Sequence, residues 1–505
     1  MGVDCGSTTI KAAIFDRTGA TLAVASRNVR PISPQPGHVE QDMRELWGSA
    51  AAAIRDAIAA SGHAPSSIAC IGVTGHGDGL YLADRTGGPL GNGIMSVDSR
   101  GLEIVEGWRA ANLMRRAEAL TAQRPFPYAA TTLLAWIKRH EPDRYRAIGH
   151  VMFCKDWVRY CLSGAFATDP TEASTAFTNP HTQRYDPDIL HLFELAEMEA
   201  ALPPIRSSAE TIGAVTSEAA ALTGLAAGTP VSGGLHDVTA SAVGMGVMHP
   251  GVLAITAGTF SINEALSSTL VVDRRWAARA GLKRGQWMNM AISPASSNNV
   301  DWFLRQAYRT ELAEAERRGG SIWPLLDSDL SSASMPDDPL FLPFLYGSPY
   351  EEPASAGFLD LRSWHGRAHM LRAVVEGAAF NHLTHALALA SAFKLERAAI
   401  SGGGSSSPRL AQLFADVLGL VVDIPEAKEV GALGAALAAG VGVGAYASLE
   451  DAAAKACRLA ARYACEPGRH GLLRARYARY AGIIEALRPV WSAGHKAGRA
   501  RGDST

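Results

Sequence analysis

Residues 2 to 29 alternate short apolar runs with polar breaks. Lys11 to Asp16 (KAAIFD) and Thr21 to Ser26 (TLAVAS) are β-prone and flank Arg17-Thr18-Gly19, which predicts a hairpin. The period then lengthens to that of a helix. Leu46, Ala50, Ala53, Ile54, Ala57 and Ile58 recur at helical spacing, with Asp42 as the predicted cap and Gly62 as the stop. Ile68 to Thr74 (IACIGVT) follows as a buried-strand run, so strands, helix and strand predict an α/β core. The theme returns when Leu253 to Thr256 run into Ala257-Gly258-Thr259 and then Phe260 to Glu264, a second strand, small-residue turn and strand. That self-similarity predicts two related domains. Pro230 to Gly246 reads as a short strand ending at Gly233-Gly234 and then a helix, which puts the boundary near it. The predicted domains are 1–240 and 241–490, followed by a Gly-, Ala- and Arg-rich tail, 491–505, expected to fray.

Length supports the division, because 505 residues exceed the roughly 250 to 300 at which one core stops growing. A site is expected in the cleft between the domains. With 47 basic against 49 acidic residues, the balance argues against nucleic acid or an anionic membrane as the main partner. The six cysteines form no CxxC pair, which fits neither a disulfide framework nor a zinc ribbon; reduced thiols in a cytoplasmic protein are expected. The N-terminus carries Asp4 and no basic-then-apolar run, so no secretory signal is read, and Gly6 stands where myristoylation wants Ser or Thr. Val430 to Leu449 is uncharged and as long as a membrane span, but five glycines and seven alanines weaken its transfer energy and predict a packed helix plus loop. Arg501-Gly502-Asp503, an adhesion-like tripeptide, is read as chance.

The opening MGVDCGSTTIK concentrates Asp4, Gly6, Ser7, Thr8, Thr9 and Lys11. Glycines let a backbone approach a ligand, successive N–H groups form an anion nest, and hydroxyls add donors, so polyphosphate is the ligand that suits the turn. Asp4 could hold a hydrated Mg²⁺ between phosphate oxygens. A hairpin turn with nothing bound satisfies the same letters. Thr256-Ala257-Gly258-Thr259 repeats the nest in the other half, and two such turns would clamp one phosphate chain. A third run, Gly402-Gly403-Gly404-Ser405, ends the strand Ala398 to Ser401 and leads into a helix with Pro408 in its first turn and a Ser cap before it. Glycines there would let a flat ring and ribose lie against backbone. No Gly-Lys dipeptide, GxSxG or HExxH occurs, and the nearest GxGxxG look-alike, Gly75 to Gly79, precedes a strand-like GLYLAD and not a helix.

A phosphoryl acceptor needs a base for its hydroxyl proton. Asp237, in GGLHDVTAS beside His236, starts a predicted helix whose dipole favours the ionised carboxylate, so a low pKa is expected; a plain N-cap is the competing reading. In phosphoryl transfer such a base mainly positions the nucleophile. His76, Gly77 and Asp78 after one strand, Asp98 and Arg100 in SVDSR, and His236 with Asp237 are candidates to bind and orient a many-hydroxyl substrate.

Together GVDCGSTTIKAAIFD, AITAGTFSIN, GGLHD and ISGGGSSSPRLAQLFADVLG resemble the FGGY carbohydrate kinases, part of the actin-like ATPase superfamily, and PGHVEQD, CKDWVRYCLSG and FLPFLYGS extend the match from Gly2 to about Leu487. The resemblance implies two actin-like, ribonuclease H-like domains around an interdomain cleft. It makes Asp237 the catalytic base, Gly6 to Thr9 the first phosphate turn, Gly258-Thr259 the second, Gly402 to Gly404 the adenosine loop, and His76 with Asp98 part of the sugar pocket. ATP and Mg²⁺ are the implied cofactors. The expected partner is a small sugar or polyol, with neither nucleic acid nor membrane, and a homodimer is the expected assembly. Two departures stand out: His38 where related kinases carry Trp in a PGWVEQD loop, and Gly347-Ser348-Pro349 where they carry a GERTP-like segment. GHGDGLYLAD and SVDSR look closer to L-xylulose and erythritol kinases, which implies a four- or five-carbon substrate, L-xylulose first and erythritol second. The short lead-in before Asp4 implies a natural start a few residues longer. Two readings compete with a sugar kinase: an actin-like ATPase with a chaperone or assembly role, and a regulator that binds sugar without catalysis.

Overall fold

Gly2–Cys5 and Thr9–Phe15 pair antiparallel around the Gly6–Thr8 turn, and Thr21–Asn28 adds the third strand of the predicted hairpin region. Gly72–Gly75 lies parallel to Gly2–Cys5 on the other side, and Leu235–His236 lies parallel to Gly72–Gly75, completing a five-stranded sheet. The helix Met43–Ser61 forms as its pattern predicts: Asp42 accepts from the N–H groups of Arg44 and Glu45, and Gly62 ends it with φ 67°. Its buried stripe, Leu46, Ala50, Ala53, Ile54 and Ala57, packs on Val3, Ile10, Ala12 and Ile14.

The computed structural model describes residues 1–332, 338–350, 352, 354–405 and 407–502, and the chain divides into two units. The first comprises Met1–Pro250, Leu266–Asn289 and Glu426–Arg458; the second comprises Gly251–Ala265, Met290–Pro425 and Leu459–Thr505. The units are therefore interleaved along the chain, whereas the sequence suggested contiguous halves. The physical reason lies in Val430–Gly442, the first part of the uncharged Val430 to Leu449 stretch. It is a helix lying against the first sheet and against the helix Asp237–Gly244, at backbone contact distance. A Cβ on Gly2 would stand 1.8 Å from the carbonyl oxygen of Ala432, and one on Gly434 would stand 1.9 Å from that of Ala240. Glycine and alanine here serve close approach. No helix among the described residues is long and apolar enough to cross a membrane.

In the second large sheet the strands Trp287–Ser293, Ser261–Ser267, Val252–Ala257, Arg397–Gly402, Val421–Pro425 and Leu459–Tyr463 lie side by side in that order. Val252–Ala257 runs antiparallel to Ser261–Ser267 and parallel to Arg397–Gly402, which repeats the pattern of Gly2–Cys5 with its neighbours. The long helix Arg367–Ala390 supplies Leu371, Val374 and Val375 to a core with Val300, Phe303 and Phe341. The C-terminal helix spans Pro467–Gly502, so the segment expected to fray is helical as far as Gly502; Asp503 of the tripeptide lies outside the described residues. All six cysteines are free thiols.

Candidate active site

Register explains why distant motifs meet in the first unit. Cys5 pairs with Gly75, and Gly75 pairs with His236, so three parallel strands end level with one another. The Gly6–Thr9 turn, His76-Gly77-Asp78 and Asp237 all leave from those carboxyl ends, where open α/β sheets place their ligands. Asp237 is the first residue of its helix, His236 being the cap, and its Oδ1 accepts from the N–H of Val238 at 2.7 Å. Among the described residues nothing bonds the other oxygen, Oδ2.

The charge state of Asp237 differs from the sequence expectation. Burial, and next the negative charge of Asp4, push its carboxyl up to about 7, outweighing the helix terminus and the bond from Val238. Because 32% of the side chain stays accessible, water moderates the effect. Asp4 is itself pushed up to about 6, by burial first, with Lys11 opposing and Glu429 reinforcing. The Asp4 carboxylate has no hydrogen-bond or ion-pair partner among the described residues, and a Cβ on Gly431 would stand 2.7 Å from its Oδ2. Lys11 is engaged elsewhere, its Nζ lying 2.7 Å from Glu429 Oε2. Thr8 is the exposed residue of the turn and its carbonyl accepts from Val29 N–H, while Ser7 is half-buried and Thr9 donates to Asn28 at 3.3 Å.

Sequence reasoning missed Arg279. Its NH2 lies 3.1 Å from both oxygens of Asp78, and its NH1 lies 3.1 Å from His236 Nε2. Its Nε donates to Gln123 Oε1 at 3.4 Å. No motif marks it, because AARAG reads as an ordinary strand. His76 is buried, and its Nε2 meets the Tyr81 hydroxyl at 2.8 Å, which in turn donates to Gln41. Asp98 and Arg100 form a different group. Arg100 is bound by both oxygens of Asp98 and by Glu40, stands over the Trp136 ring, and leaves Asp98 Oδ2 to accept from the N–H of Val39. Their polar atoms are largely consumed in fastening the 39–40 segment, next to His38, whose ring meets Trp136 edge-on at 5.5 Å.

The second unit brings two glycine runs together by the same logic. Ala257 pairs with Gly402 across parallel strands, so Gly258-Thr259 and Gly403-Gly404 leave the sheet side by side. With Ser297, Trp323 and Phe414 they line a cavity of about 300 Å³, at the lower end of the range for small-molecule sites. Ser297 ties the turn, donating from its hydroxyl to Ala257 O and from its N–H to Gly258 O. Thr256 and Ser401 hydroxyls lie 3.5 Å apart, and Ser405 donates back to Gly402 O. Ser407 caps the following helix, Pro408–Leu418, accepting from Leu410 N–H.

Comparison with known proteins decides the family. Residues 1–244 match the N-terminal domain and residues 253–443 the C-terminal domain of the FGGY family of carbohydrate kinases. The chain belongs to this family. It is 35% identical to the L-xylulose/3-keto-L-gulonate kinase of Escherichia coli (strain K12), over 96% of this chain and 97% of that protein. It is 34% identical to a probable L-xylulose kinase of Pasteurella multocida (strain Pm70), over 97% of this chain and 99% of that one. The crystal structure of xylulose kinase from Rhodospirillum rubrum superposes with a TM-score of 0.86 at 28% identity, covering 97% of this chain and 99% of that one. The fold is thus that of sugar kinases of the actin-like ATPase class, and this FGGY kinase is an ATP-dependent carbohydrate kinase that moves the γ-phosphate of ATP to a hydroxyl of a small sugar or polyol. The chaperone or assembly reading is not favoured.

Proposed function

We propose that this FGGY kinase phosphorylates L-xylulose, with Asp237 as the base. The observation that carries the base is the free Oδ2 of a partly accessible carboxylate at the strand ends, held near neutrality and able to receive a hydroxyl proton. The substrate reading is supported by the names of relatives similar over nearly their whole length. Asp78, His76 and Gly77 leave the neighbouring strand end and orient the sugar. Gly6 to Thr9 cradle phosphate oxygens; Gly258-Thr259 and Gly402 to Gly404 take the nucleotide. Asp4, an unpartnered carboxylate among the described residues, suits a hydrated Mg²⁺, a hard cation that takes oxygen ligands and would offset charge on the phosphates. Six free thiols fit a reducing compartment, the cytoplasm.

Asp237→Asn is expected to keep ATP binding and lower turnover by roughly 10²- to 10⁴-fold, the worth of a positioned base. Wild-type turnover in that variant removes Asp237 from the role. ADP release measured over L-xylulose, D-xylulose, 3-keto-L-gulonate and erythritol is expected to give L-xylulose the highest kcat/KM; a higher value for another compound replaces it.

A further inference from the structure

His236 is fixed more tightly than a sugar-contacting histidine needs to be. Its backbone N–H donates to Thr171 Oγ1 at 2.8 Å, and its ring lies against Gly77, where a Cβ would stand 1.8 Å from Nε2. The ring therefore has little room to turn. Its Nε2 faces Arg279 NH1 at 3.1 Å. A guanidinium has donors only, so Nε2 must be the bare, accepting nitrogen, and the single ring proton of neutral imidazole must sit on Nδ1. Nδ1 in turn lies 3.2 Å from Asp237 Oδ1, in a buried position without a straight hydrogen bond. Catalytic bonds are commonly this loose before substrate arrives.

We propose that Arg279 is a positioning residue, holding His236 as the Nδ1–H tautomer against one oxygen of Asp237 so that the other faces the acceptor hydroxyl. The proposal rests on the reading of Asp237 as base. Arg279 is itself held on both sides: Ala278 N–H donates to Ala122 O at 3.1 Å, and Ala280 N–H donates to Ser174 Oγ at 3.0 Å. Asp78 neutralises its charge through both carboxylate oxygens, and the side chain is only 5% accessible. Burial first, then Arg279, Lys155 and His76, hold His236 well below its ordinary pKa, so the ring stays neutral and the tautomer is the variable that matters. When a sugar hydroxyl approaches Oδ2, the proton moves to that oxygen as the O–P bond forms and the bond to ADP breaks. The Nδ1–H meanwhile keeps Oδ1 occupied, so the carboxylate cannot rotate away.

The test begins with ring-¹⁵N histidine in the whole protein, His236 being assigned by His236→Gln. The wild type is expected to show Nδ1 protonated and Nε2 bare; the opposite pattern overturns the proposal. This readout involves no turnover, so it stands apart from the base assignment, which Asp237→Asn tests alone. Arg279→Lys, which keeps a donor at Nε2, is expected to preserve the tautomer and most of kcat. Arg279→Met leaves Asp78 buried and unpaired, so the informative variant is Asp78→Asn/Arg279→Met, compared with Asp78→Asn. We expect the double variant to lose the single tautomer and a further 10-fold or so in kcat, part of a base's full worth, with KM for ATP unchanged. Equal kcat in the two would show that Arg279 merely balances Asp78, and would overturn the proposal.

Discussion

The site in the first unit and the cavity in the second are built by opposite means. The first is an arrangement of charges that constrain one another: Asp78 holds Arg279, Arg279 faces His236, and His236 faces Asp237. The second is made of missing side chains, with Gly258, Gly403 and Gly404 opening about 300 Å³ beside Trp323 and Phe414. Selecting one hydroxyl of a sugar and taking up its proton requires fixed polar atoms, because an unpaired buried donor or acceptor penalises the wrong compound. Seating a planar base and a phosphate chain requires surface and backbone N–H groups, which side chains would obstruct. The same strand-turn-strand unit thus serves either end, and the side chains or glycines on the adjoining parallel strands decide which.

That contrast can be broken from each side separately. The largest effect expected is the loss of turnover in Asp237→Asn, with nucleotide binding intact. Next, Gly77→Ala drives a Cβ into the His236 ring, and overpacking of about 1 to 3 kcal/mol at that point is expected to fall on kcat and sugar KM with ATP affinity kept. Its counterpart is Gly404→Val, whose Cβ would stand 2.9 Å from that of Ala257 and 3.0 Å from Phe414 Cε2. There ATP KM is expected to rise roughly 10-fold, within the same overpacking range, with sugar affinity unmoved. If either glycine variant damages both substrates equally, the division fails.

Acidity sharpens the comparison further, because the charged site holds a carboxyl that is pushed up to about 7. With Asp237 held up to about 7, sugar kcat/KM is expected to fall with decreasing pH below roughly that value, approaching tenfold per unit. The sign for stability is the reverse of a salt-bridged Asp. The folded state holds its proton more tightly than the unfolded one, so stability declines as pH rises from the ordinary carboxylate range through about 7, and Asp237→Asn flattens that slope in urea titrations at pH 5 and pH 8. The smallest effect is expected for Ser407→Ala, which removes the cap behind the adenosine loop and costs about 1 kcal/mol in stability without touching the sugar site.

Much of this architecture was legible in local letters. Asp42 and Gly62 bound their helix as read, both small-residue turns sit between the strands that were expected, and Ser407 with Pro408 opens the helix after the glycines. What stayed hidden were effects set by residues remote in the chain. Asp237 read as a low-pKa carboxylate because its helix is adjacent in sequence, whereas the burial that chiefly opposes its ionisation, and the charge of Asp4 that adds to it, come from residues far away in the chain. Arg279 carries no motif, and only folding puts it on Asp78 and His236. Asp98 and Arg100 lie near the sugar candidates in sequence, yet their atoms are spent on each other and on Glu40.

The glycine-lined seat of the Val430–Gly442 helix has a consequence for biosynthesis. Gly2 and Gly72 leave the ribosome early, but the carbonyls of Ala432 and Ala435 that cover them emerge only after the Gly251–Ala265 and Met290–Pro425 segments of the second unit. The nascent first unit therefore waits with one face of its sheet bare, and N-terminal-first maturation, the usual order for multidomain chains, is closed to it. Truncation before residue 430 is expected to leave an aggregation-prone fragment instead of a free-standing sugar-binding half.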